Sequence, residues 1–305
     1  MHILVIFTGG TIGSTVTDGW ISPDDAAKYT LIHAYEKTHG NTVIFSTRAP
    51  YTILSENLCA ENLNVLIREV SNALTQDFDG IIVTHGTDTL QYTAAALAYA
   101  TGNNSKPIVL VSSNYPLNDA RANGNENFAA AVSFIEQQCG RGVFVAYKNK
   151  NEAVSFHNAL SVVTHLEADD KVFSLYDDIY ATATQNGITV TGVCESCEKI
   201  PVTLAKHSPV LAVTTYPADA YAYTLSDCRA VLLRPYHSGT FPTDLPAFIA
   251  FCKRVKAAGI PIFAVNIPKG TTYASSKQFD ALGIIPLYDT TFISAYVKLW
   301  MQFSE

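Results

Sequence analysis

A chain of 305 residues with 48% hydrophobic and 15% charged residues can bury a large core, is too apolar for disorder, and has the length of two domains. A formal net charge of −7, a pI near 5.6 and the lack of any basic block argue against a nucleic-acid partner. No apolar run reaches the ~18 residues of a membrane helix, and HILVIF at the N-terminus carries neither a basic flank nor a small-residue cleavage site, so it reads as mature strand in a cytoplasmic protein without membrane contact.

In chain order, apolar runs predict strands at His2–Phe7, Thr42–Ser46, Gly80–Val83, Pro107–Ser112 and Gly142–Ala146. Helical patterns lie between them near Asp24–His39, Ala60–Leu74, Thr89–Thr101 and Asp119–Gln138. This alternation predicts an α/β fold, a parallel sheet with helices on both faces, spanning 1–185. The pattern breaks over 186–207, read as a linker that contains short alternation such as ITVTGV. A second βα series then predicts a smaller α/β C-terminal domain over 208–305. Its strands are expected at Pro209–Thr214, Ala230–Arg234 and Ile260–Ile267, and its helices near Leu245–Ala258 and Phe292–Gln302.

Six cysteines are scattered along the chain. Cys194 and Cys197 form a single CxxC, but a zinc ribbon needs a second pair. No His, Cys, Asp or Glu cluster has ligand spacing, so no metal and no cofactor are expected.

In open α/β sheets ligands bind outside the carboxyl ends of the strands. Three polar clusters fall at such ends: TGGTIGS after the first strand, THGTDTL after Gly80–Val83, and SSNYPL after the Pro107 strand. Gly9 and Gly10 let backbone approach a ligand and turn N–H groups inward. Thr11 then places a hydroxyl beside those donors, the minimum for acyl transfer. In the second cluster Asp88 also suits a helix N-cap, and Thr87 also suits local backbone satisfaction.

The pair TGGTIGS and THGTDTL resembles the bacterial-type L-asparaginase family, and the chain is most similar to its cytoplasmic (type I) group. The resemblance extends through VLVSSNYPLNDARANGNENFAAAV, SPVLAVTTYP, AVLLRPYHSGTFPTD and LGIIPLYDTTFISAYVKLW. It implies hydrolysis of the side-chain amide of asparagine to aspartate and ammonia by a homodimer or homotetramer acting on a small amino acid. By the same resemblance Thr11 is the nucleophile, Thr87 and Asp88 belong to a second catalytic group, and Asp88 also receives the substrate ammonium. Backbone at Gly10 and Thr87 holds the oxyanion, and Ser55 with Glu56 meets the substrate carboxylate end. Ser55 equally fits a helix N-cap with Glu56 in the first turn.

The chain departs from that pattern in three places. Trp20 stands where the family's loop tyrosine activates the first threonine, and indole has a donor but no acceptor. His165 stands where the family has a lysine; a histidine, with an unperturbed pKa near ~6.5, suits a general base. His157 is the other candidate for that task, and His85 suits packing or a backbone hydrogen bond. Thr240 replaces an asparagine of the second domain. Losing a general base costs about 10²–10⁴ in rate. Four readings therefore stand beside asparagine hydrolysis: an amidase for another small amide, a non-catalytic binder of an acidic amino acid on the same fold, the amide-hydrolysing subunit of a transfer-RNA amidotransferase, and an unrelated hydroxyl-nucleophile enzyme. The third carries an extra N-terminal domain, whereas the first strand here begins at residue 2.

Overall fold

A computed structural model describes every residue except 18, 24–26, 164–168, 202, 271–272 and 305. The opening apolar run forms β1 (His2–Phe7), followed by a hairpin of β2 (Ser14–Thr17) and β3 (Trp20–Pro23). Then come α1 (Ala27–His39), β4 (Ile44–Arg48), α2 (Ala60–Leu74), β5 (Gly80–Thr84), α3 (Leu90–Thr101), β6 (Pro107–Val111), α4 (Gly124–Glu136) and β7 (Gly142–Lys148). The helix–strand alternation ends there. β8 (Val154–Asn158), the short pair β9 (Val162–Val163) and β10 (Phe173–Ser174), β11 (Ala181–Thr184) and β12 (Gly187–Val190) complete this part of the chain.

The eight-stranded sheet has the order β12-β11-β8-β7-β6-β5-β1-β4. β4, β1, β5, β6 and β7 are parallel, and β8, β11 and β12 each run antiparallel to their neighbours. Successive side chains of a strand point to opposite faces, which explains the division of the core. Ile3, Val5 and Phe7 of β1 pack with α1 and α4 residues such as Leu31, Phe128 and Phe134. Leu4 and Ile6 pack with α2 and α3 residues such as Leu66, Val70 and Leu97. Every residue of α3 except the half-buried Tyr92 is buried, and its run of small residues (LQYTAAALAYAT) lets it lie close under the sheet.

The α/β class with a parallel sheet is the one expected from the sequence. The domain limits differ from the expected ones: the chain divides into Met1–Pro201 and Val202–Glu305, and β12, inside the stretch expected as a linker, is the edge strand of the first unit. The second unit has its own four-stranded parallel sheet, built from β13 (Val210–Thr214), β14 (Ala230–Arg234), β15 (Ile262–Ala264) and β16 (Ile284–Pro286). α5 (Pro246–Ala257) and α6 (Phe279–Leu282) cover one face, and α7 (Phe292–Gln302) covers the other. Among the described residues no helix is long and apolar enough to cross a membrane.

Candidate active site

Because β1, β5 and β6 are adjacent and parallel, the loops leaving their carboxyl ends meet along one edge of the sheet. The first loop is stitched to the segment that follows β4. Gly10 N–H donates to Ile53 C=O at 2.9 Å and Ile53 N–H donates to Thr8 C=O at 3.1 Å. Gly9 and Gly10 both have positive φ, 101° and 76°. A Cβ on Gly10 would lie 2.3 Å from the Gly86 nitrogen, and one on Gly9 would lie 2.2 Å from the Ile53 oxygen. Both positions therefore exclude a side chain twice over, by conformation and by space.

That contact matters chemically. Gly10 touches Gly86 backbone, and Thr11 and Thr87 are the next residues along each strand of the contact, both half-buried. Thr8 ties the same loops from behind, its hydroxyl donating to Thr84 C=O at 2.6 Å. Ser55 closes the third side. It is buried, and its hydroxyl donates to the Asp88 carboxylate at 3.3 Å, while Thr89 donates to Ser55 C=O at 2.9 Å. Thr11 adjoins this cluster through Gly10; Thr87, Asp88, Ser55 and Gly10 lie within it.

Several alternative roles drop out. The N-cap of α3 is Thr89, and its side chain makes no cap bond, so Asp88 is not a capping acid; its carboxylate is exposed beside Ser55. Ser55 begins a short 3₁₀ turn whose cap is Leu54, without a side-chain cap bond, so its hydroxyl is not capping either. Glu56 is exposed. Gly10 N–H is already bonded to Ile53 C=O, so it is not free to hold an oxyanion.

Behind the second loop His85 is fully buried. Its Nδ1 lies 2.8 Å from Gly86 C=O, and its Nε2 lies 2.8 Å from the Thr93 hydroxyl. A carbonyl only accepts, so Nδ1 carries the proton and Nε2 accepts from Thr93. Burial pushes the imidazole pKa down to about 4, against the opposing pull of the Gly86 bond and the Asp88 charge. His85 is thus a neutral prop under the turn. His157 is buried with Nδ1 2.7 Å from Ser174 Oγ, and burial lowers its pKa to about 4 as well; it ties β8 to β10. His165 lies outside the described residues. Trp20 is 78% exposed at the tip of the β2–β3 hairpin. The CxxC cysteines are thiols with separate partners: Cys194 donates to the Tyr180 hydroxyl and Cys197 to Ala98 C=O. Among the described residues no group of three or more His, Cys, Asp or Glu is arranged for a metal ion.

A cavity of about 290 Å³ opens beside the second loop, lined by Thr87, Asp88, Asn114, Tyr115, Tyr147, Asp169 and Asp170. A larger one, about 370 Å³, lies at the opposite edge of the sheet around Asp79, Pro107 and Arg141, away from every hydroxyl of these loops. Sequence reasoning missed the two tyrosines and the two aspartates of the smaller cavity. Tyr115 lies in the SSNYPL cluster; Tyr147 lies one residue beyond the predicted end of its strand. Asparagines of α4 and of the turn before it hold these strand ends in place. Asn127 donates to Ser112 C=O at 2.9 Å and accepts from Lys148 N–H at 2.8 Å. Asn123 donates to Lys148 C=O and accepts from Asn114 N–H.

Comparison with known proteins bears on the family and the fold. The family described as "Asparaginase, N-terminal" matches residues 2–174. An L-asparaginase of Dirofilaria immitis is 26% identical over 98% of this chain, which spans 56% of that relative's length. A glutamyl-tRNA(Gln) amidotransferase component from Pyrococcus abyssi is 35% identical over 98% of this chain and 71% of its own. Among solved structures, the thermostable L-asparaginase of Thermococcus kodakarensis superposes with a TM-score of 0.84 at 22% identity, covering all of this chain and 93% of the other.

Proposed function

The chain belongs to the asparaginase family, and from that premise we propose that it is an amidohydrolase converting the side-chain amide of L-asparagine to L-aspartate and ammonia, with Thr11 as nucleophile. The observation that supports this reading is the close backbone approach of Gly10 and Gly86, the residues that immediately precede Thr11 and Thr87. In this scheme Thr11 Oγ attacks the amide carbon, and N–H groups of Thr11 and Thr87 hold the oxyanion. Ammonia leaves, and water then cleaves the threonyl ester. Asp88 pairs with the substrate ammonium, since an ammonium leaving water needs a charged partner. Ser55, beside it, meets the carboxylate end; Glu56, exposed, stands further out. The working form is a homodimer or homotetramer acting on a small amino acid, without nucleic acid, in the cytoplasm.

The 35% identity to an amidotransferase component favours one second reading, in which the amide belongs to glutamine. A single assay separates the readings: ammonia release from L-asparagine, L-glutamine and related amides by the wild type and by Thr11→Ala. We expect release from asparagine first and loss of at least about 10²-fold in kcat in the variant. An equally active Thr11→Ala removes the nucleophile assignment. Stabilisation by aspartate without any ammonia supports a binding protein instead.

A further inference from the structure

A threonine hydroxyl is a poor nucleophile until something takes its proton. Trp20 cannot accept one, and it is turned to solvent. The cavity beside Thr87 holds another route. Tyr147 is the penultimate residue of β7; its ring is buried in the core between the sheet and α2 and α3, and it lines the cavity together with Thr87 and Asp170. Its ring is held by packing and its strand end by Asn127 and Asn123, so the phenol is fixed in direction, as a proton carrier must be. Burial pushes the phenol up to about 12, a hydrogen bond from Asn123 opposes the rise, and the nearby Asp170 charge adds to it. Such a group stays neutral at working pH, which suits a carrier that accepts one proton as it gives up another.

The geometry points to Tyr147 as a proton-relaying catalytic residue between Thr87 and the carboxylate of Asp170. The inference rests on the amidohydrolase reading and adds the base that reading lacks among the described residues. When an oxygen attacks the amide carbon, its proton passes to Thr87 Oγ. The Thr87 proton passes to Tyr147 Oη, and the Tyr147 proton passes to Asp170. As the C–N bond breaks, the same chain runs backwards and delivers a proton to nitrogen, so ammonia leaves and Asp170 is again a carboxylate. In the second half the attacking oxygen is that of water, and the returning proton goes to Thr11 Oγ. No electron is gained or lost, and no co-reactant beyond water is needed. Tyr115 also lines the cavity, but its ring is stacked under Arg121 at 3.9 Å and forms the wall to a neighbouring cavity, which makes it the less direct carrier.

The test is steady-state ammonia release from L-asparagine and L-glutamine by Tyr147→Phe, Asp170→Asn and the double variant, with thermal unfolding of each. Tyr147→Phe keeps the ring in the core, and Asp170 is exposed, so its variant leaves packing untouched. The relay predicts that each single variant loses about 10²-fold in kcat with KM changed by less than about threefold. It also predicts that the double variant is no slower than the slower single one, because both changes break one chain. A Tyr147→Phe enzyme within about threefold of wild type overturns the relay, and so do penalties that multiply in the double variant. A Thr11→Ala enzyme that is inactive while Tyr147→Phe is normal would leave the amidohydrolase reading standing without the relay. A wild type inactive on every amide removes both.

Discussion

Two buried histidines illustrate how single residues set the limits of this fold. His85 and His157 are both neutral in the folded chain because burial holds their pKa values near 4, whereas an unfolded chain protonates them near ~6.5. Between those two values the unfolded state binds more protons. Stability is therefore full above about pH 6.5, falls as the pH drops towards 4, and is flat for these groups below that. Each histidine contributes on the order of 3 kcal/mol to the loss. His157→Gln, which keeps a partner for Ser174, should shallow the wild-type slope of unfolding free energy against pH by about one proton in that window, as measured by denaturant titration at pH 7 and 4.5. Parallel slopes would mean that His157 titrates normally and is not buried as described.

At the scale of elements, the end of the sheet is held by side chains rather than by further strand pairing. Asn127 is fully buried on α4, and its two bonds pin the ends of β6 and β7. Removing it by Asn127→Ala leaves two backbone groups without partners, a loss of about 2–4 kcal/mol, readable as a lowered denaturant midpoint; a change below about 0.5 kcal/mol would contradict the pinning. The same elements show what a sequence can disclose. β1, β5 and β6 were legible because strands covered on both faces are continuous apolar runs, and α2 because its apolar positions recur at helical spacing on a polar background. β8 was not legible. Its run VSFHN reads as polar, yet all five residues are buried, and the partner of His157 Nδ1, Ser174, comes from a hairpin further along the chain. β12 was lost for the opposite reason, as an exposed edge strand with little apolar signal.

Across the whole molecule, the hydroxyls and acid of the candidate site stand at glycine-rich bends after strands, where a bend without a local reason invites a chemical one. The supporting residues did not. Tyr147, Asp169 and Asp170 reach the cavity only because β7 lies beside β6 and the chain returns through β9 and β10, a juxtaposition no local pattern encodes. On the proposed function, the oxygen that takes the acyl group is that of Thr11, the residue that follows the Gly10–Gly86 contact. Acid-quenched wild-type protein, caught during turnover of asparagine and mapped by peptide mass spectrometry, tests it. An aspartyl adduct is predicted on the peptide carrying Thr11, absent in Thr11→Ala. An adduct on Thr87 or any other hydroxyl, with Thr11 unmodified, would contradict it.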